Sequence, residues 1–162
     1  IARFNLTDIS LQYSKINLTR LLEQLAYEFR PMLKEKNLTC NLQIPDDLML
    51  RCDAGKIQRA FDNLLRNAVI YSYPDTEVNI TVVREDNDVA IKFINHGDTI
   101  SKENLKRIFE QFYRLDLSRS TSSGGAGLGL AISKRIIELH HGTIAANSEN
   151  DLIEFTVTLP AS

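Results

Sequence analysis

Leu18, Leu21, Leu22, Leu25, Phe29, Met32 and Leu33 recur three and four residues apart. That spacing is one apolar helix face, and it predicts an amphipathic helix with Asn17 as N-cap and a kink at Pro31. Ile57, Ala60, Phe61, Leu64, Leu65 and Ala68 repeat the pattern behind Asp53, a second N-cap. Between them, residues 38–44 and 48–52 flank Pro45-Asp46-Asp47 and predict two strands. The period then falls to two. Residues 77–86 and 88–95 alternate on either side of Asp86-Asn87-Asp88 and predict a hairpin. The tail predicts strands over 142–148 and 152–160, the second with Ile153, Phe155, Val157 and Leu159 on one face. A short helix is predicted from Ser101 to Phe112, and another from the glycines at 124–129 to about His140. Without a regular βαβ rhythm, the expected class is α+β: a two-layer sandwich in which about three helices cover a mostly antiparallel mixed sheet of about five strands.

The 162 residues are 43% hydrophobic, enough for one domain with a real core. A net charge of -2 gives no general pull toward nucleic acid or an anionic membrane, so a bound anion must be held by local donors. Cys40 and Cys52 form neither a CxxC pair nor a cluster with the three histidines. They read as reduced core residues, with a disulfide or metal site as the alternative. No run of eighteen apolar residues occurs, which predicts a soluble chain. It opens on Ile1-Ala2-Arg3-Phe4 without an initiator methionine, as a fragment of a longer protein would.

Candidate chemistry gathers in four segments. Gly124, Gly125, Gly127 and Gly129 directly precede a helix. Glycines let backbone amides approach a ligand closely, and a helix start offers unpaired N–H donors, so together they make a phosphate seat. The pattern is neither a Walker A loop nor a dinucleotide fingerprint, and alone it is equally a plain flexible loop. Asn63 and Asn67 lie one helical turn apart beside the apolar stripe, where amides ligate a hard cation, bond a phosphate or merely face solvent. Asn95-His96-Gly97-Asp98-Thr99 closes a strand and taken alone is a turn. Ile108 to Arg114 joins aromatic residues to a cation, and Arg114 and Arg119 stand just before the glycines.

Taken in order, NLLRNAVIYS (63–72), INHGDTI (94–100), IFEQFYR (108–114) and GGAGLGLAISK (124–134) resemble the N box, first glycine box, F box and second glycine box of the catalytic ATP-binding domain of sensor histidine kinases. The wording as a whole is similar to the vancomycin-resistance sensor kinases. The resemblance covers roughly residues 15–160 and implies the Bergerat-type sandwich shared with gyrase-type topoisomerases, Hsp90 chaperones and MutL. It also implies ATP and magnesium as ligands. Asn67 would then ligate magnesium and Asn63 would assist at the phosphates. Tyr71, Asn95, Gly97, Tyr113, Arg114 and Arg119 would line the nucleotide, and Gly125, Gly127, Leu128 and Gly129 would receive the phosphates. Asn63, Asn67 and Arg114 would be the catalytic set, and residues 115–126 the lid. Residues 1–15 would be a linker and the end of a dimerisation helix, leaving 16–162 as the catalytic domain.

The sequence departs from the family pattern at Ile70, where a lysine is common, at Asn95, where aspartate is usual, and at Thr99, in place of a glycine. Thr99 is expected to narrow the base pocket. His96, His140 and His141 stand in no phosphoacceptor motif, so the acceptor is expected on the protein's own dimerisation domain, outside this chain. Asn63 stands where the related ATPases carry a glutamate, which predicts slow hydrolysis. The resemblance thus implies a protein-histidine kinase domain, monomeric by itself, on the cytoplasmic side of a membrane-bound sensor that signals to a response regulator. It implies no nucleic acid or membrane contact by the domain. Two rivals are a nucleotide-sensing module that has lost catalysis and a protein serine kinase of the anti-sigma type.

Overall fold

The two-residue periodicity of the second half builds the sheet. The computed structural model describes residues 10–111, 113 and 129–161. In it β4 (Glu77–Glu85) and β5 (Asp88–His96) form the expected antiparallel hairpin. β7 (Leu152–Pro160) lies antiparallel to β5, and β6 (Thr143–Glu149) to β7. Asn150 and Asp151 link these last two at φ 55° and 59°, the paired left-handed backbone of a two-residue hairpin turn. β2 (Thr39–Gln43) runs parallel to β4 and completes the order β2-β4-β5-β7-β6. Val78, Ile80, Val89, Ile91, Phe93, Ile153, Phe155 and Val157 are the buried alternate positions.

Among the described residues five helices occur: α1 (Leu18–Glu28), α2 (Arg30–Glu35), α3 (Ala54–Ile70), α4 (Lys102–Arg107) and α5 (Gly129–Leu139). The stripe predicted for α3 is buried in full, and Phe61 meets Phe93 of β5 with ring centroids 5.6 Å apart. Both predicted N-caps form: Asn17 accepts from the Arg20 N–H at 3.0 Å and Asp53 from that of Lys56 at 3.1 Å. The Ser133 hydroxyl donates to the Ala60 carbonyl at 2.9 Å and fixes α5 on α3.

Among the described residues five helical segments stand where about three were expected to cover the sheet, and two of the predicted helices end early. The first helix breaks at Phe29 rather than kinking at Pro31, and Pro31 falls in the first turn of α2, where its missing N–H breaks no helical bond. The Ser101–Phe112 helix ends at Arg107, because the N–H groups of Glu110 and Tyr113 bond carbonyls only three residues back. One strand carried no sequence signal. β1 (Ser14–Asn17) pairs antiparallel with β3 (Met49–Cys52) in a separate two-stranded sheet. Cys40 and Cys52 are free thiols, each pushed up to about 11, chiefly by burial. No His, Cys, Asp and Glu cluster able to hold a metal occurs among the described residues, and no helix among them is long and apolar enough to cross a membrane.

The N-terminal end of α3 is a closed polar cluster. The backbone N–H of Asp53 donates to Nε2 of His140 at 3.0 Å. The ring proton must therefore sit on Nδ1, which donates to the Ile136 carbonyl at 2.8 Å. Burial lowers the His140 pKa and outweighs the opposing pull of that carbonyl and of Asp53. Burial works the other way on Asp53, but the N–H groups of Gln12 (2.8 Å) and Lys56 and the nearby positive charge of Lys56 hold its pKa below the usual carboxylate value.

Candidate functional site

The opposite end of α3 carries the predicted asparagines. Its apolar stripe turns Asn63 and Asn67 to the border of the core, where both are half-buried. The Asn63 amide donates to the carbonyl of Gly129, the first residue of α5, at 3.0 Å. That bond uses one N–H and leaves the amide oxygen for other work. Asn67 lies one turn on, and its carbonyl accepts the N–H of Tyr71, which caps the helix.

β5 ends against this corner. Its alternation places Asn95 on the same side as Val89, Ile91 and Phe93, the side that packs on α3. Asn95 is only 1% exposed, yet neither its Oδ1 nor its Nδ2 has a hydrogen-bond partner among the described residues. Burying an unpaired amide costs about 1–3 kcal/mol, and a native fold retains that cost where a partner arrives from outside. Gly97 follows. A Cβ there would lie 2.1 Å from the Tyr71 carbonyl oxygen and 3.2 Å from Nδ2 of Asn95, so only glycine lets the two chains approach. The Tyr73 N–H donates to the His96 carbonyl at 2.8 Å and closes the corner.

Three supports carried no signal in the sequence. The Lys36 ammonium donates to the carbonyls of Val69, Ile70 and Ser72 at 3.0, 2.7 and 2.8 Å. It holds the C-terminal end of α3, where helix carbonyls lack partners and favour a cation. The Asp151 carbonyl accepts the Gly97 N–H at 3.0 Å, and the Asp151 N–H donates to the Thr99 hydroxyl at 2.8 Å. Thr99 is therefore turned outward and exposed, contrary to the expectation that it narrows the pocket. The Tyr73 hydroxyl donates to Asp98 at 2.7 Å, a bond that is the main cause of its pKa being pushed up to about 12.

The structure thus joins Asn63 to Gly129, and Tyr71 to Asn95 and Gly97. Tyr113 is held elsewhere: its hydroxyl donates to Asn104 of α4, and the Arg107 guanidinium lies 4.7 Å from its ring centroid. Arg114, Arg119, Gly125, Gly127 and Leu128, with the proposed lid 115–126, lie outside the described residues.

Residues 52–162 match the family described as histidine kinase-, DNA gyrase B- and HSP90-like ATPase. The chain is 46% identical over 160 residues to the sensor protein VanSC of Enterococcus gallinarum and 43% identical over 161 residues to the sensor protein VanS of Enterococcus faecium. Each alignment takes in 99% of this chain but only 44% and 42% of those proteins, so the chain spans less than half the length of these relatives. Among solved structures, the catalytic domain of histidine kinase ThkA superposes with a TM-score of 0.83 at 24% identity, covering 93% of this chain and 97% of that one. ThkA has also been solved in complex with the response regulator protein TrrA. The chain belongs to the histidine kinase-, DNA gyrase B- and HSP90-like ATPase family, and over nearly its whole length it is similar to sensor proteins and sensor histidine kinases.

Proposed function

We propose that this chain binds magnesium ATP where the end of α3 meets the end of β5, and donates the γ-phosphoryl group to a histidine on a separate dimerisation domain. The observation that carries the reading is Asn95, buried with both amide atoms unpartnered beside a glycine that nothing larger could replace. Such a pair suits the edge and face of a flat heterocycle, with Tyr71 close by. Magnesium would be held by the Asn67 amide oxygen together with nucleotide phosphates, where it supplies charge neutralisation. A donor set this sparse fits a cation that keeps most of its shell as water and phosphate.

Asn63 then has two roles, holding the start of α5 through its N–H and facing the phosphates with its oxygen. Arg114, Arg119, Gly125, Gly127, Leu128 and Gly129 are the further phosphate contacts, and Tyr113 a further nucleotide contact. Catalysis by this domain is positioning and charge compensation, with no covalent intermediate on its own residues. An amide at Asn63 is a poor base for water, so hydrolysis is slow and the phosphoryl group is kept for transfer. The phosphoacceptor, the membrane anchor and the sensing segments belong to the remainder of a longer protein. The response regulator is engaged through that full-length kinase, a reading supported by the ThkA complex with TrrA.

The test is transfer of labelled γ-phosphate to a supplied dimerisation domain. Acid-labile, base-stable label on its histidine is the expected result. ATP binding without transfer would reduce the chain to a nucleotide-sensing module.

A further inference from the structure

Asn95 is an amide rather than a carboxylate, and no hydrogen bond among the described residues fixes which way it points. Its two faces differ. A carboxylate only accepts hydrogen bonds, whereas an amide accepts through Oδ1 and donates through Nδ2. Turned one way, Asn95 accepts from the 6-amino group of adenine and donates to ring nitrogen N1. Turned by 180°, it donates to the 6-oxo group of hypoxanthine or guanine and accepts from the N1 proton. A carboxylate at this position would meet a 6-oxo group with like partial charge.

We infer that Asn95 makes the base pocket tolerant of both 6-amino and 6-oxo purines, so that the domain accepts inosine-type nucleoside triphosphates beside ATP. This rests on the nucleotide reading above. The structure supports the freedom that the inference requires. The side chain is 1% exposed, and no group among the described residues bonds either amide atom. At Gly97 a Cβ would lie 3.2 Å from Nδ2, and no side chain stands at that position. A buried polar group that can satisfy either base does not impose the large penalty that a site built for one hydrogen-bonding pattern imposes on the other.

The experiment is calorimetric titration of the chain with ATP and with ITP in magnesium, beside Asn95→Asp and Asn95→Ala. ITP lacks the 2-amino group of guanine and reports on the 1,6 edge alone. The wild type is expected to bind ITP within about tenfold of ATP, and Asn95→Asp to widen the preference for ATP by at least about tenfold. Asn95→Ala, which keeps neither donor nor acceptor, should weaken both nucleotides by the same factor. It keeps the test decisive if a buried carboxylate prevents folding. A wild-type preference for ATP beyond about a hundredfold, or unequal losses in Asn95→Ala, would overturn the inference while leaving ATP binding intact. Failure of the folded wild type to bind either nucleotide would overturn the nucleotide reading itself.

Discussion

The two ends of α3, about 25 Å apart by the rise of a 17-residue helix, treat buried polar groups in opposite ways. At the N-terminal end His140 has both ring nitrogens bonded, and the Asp53 carboxylate accepts two backbone N–H groups. At the C-terminal end the Asn95 side chain is as deeply buried and bonds nothing among the described residues. Burial therefore does not by itself distinguish a structural polar group from a binding one. Satisfaction does, on the proposed reading: the first cluster is complete without a ligand, and the second would be completed by one.

Gly97→Ala should break the contrast most strongly. A methyl placed 2.1 Å from the Tyr71 carbonyl must push β5 off α3. Nucleotide affinity should fall below detection and stability by about 1–3 kcal/mol, read by calorimetry and thermal melting. An unaltered affinity would place the ligand elsewhere. His140→Ala tests the other end. It takes the imidazole acceptor from the Asp53 N–H and one of two donors from the Ile136 carbonyl, which keeps the backbone N–H of residue 140, so stability should fall by about 1–3 kcal/mol, while affinity for nucleotide stays within about twofold. A large affinity loss at preserved stability would mean that the two ends are coupled.

The smallest effect is one of pH. His140 has a lower pKa in the fold than its ordinary 6.5, so the unfolded chain takes up the proton first. Its contribution to stability is complete above that value and is lost as pH falls through the depressed one. Asp53, also lowered, adds a second loss on the acid side of its ordinary 3.8. Thermal melts between neutral pH and pH 5 should show the first slope, and His140→Gln should flatten it.

Much of this molecule was legible because its signals are local. The β4–β5 hairpin, the alternation of β7 and the stripe of α3 all lie within a few residues of their cause, and the asparagines beside that stripe came with it. What stayed hidden depends on distant pairing. β1 is four residues long with Ser14 and Lys15 in it, and it exists because β3 lies beside it. Residues 39–43 and 49–52 both read as strands, yet they join different sheets, and no pattern within a strand names its partner. Lys36 and His140 were single polar residues in the sequence, and only the fold reveals the carbonyls and the amide they serve. The importance of Asn95 was half visible: the resemblance placed it, and the structure added that it is buried and unpaired.

The most direct test is titration of the chain with a non-hydrolysable ATP analogue, with and without magnesium, beside Asn67→Ala. Asn67 is half-buried at the edge of the stripe, so the variant should keep its stability to within about 0.5 kcal/mol. Magnesium-dependent binding in the wild type, lost in the folded variant, is the expected result. Binding that ignores both magnesium and Asn67, or no binding to the folded wild type, would contradict the assignment of this corner as the nucleotide site.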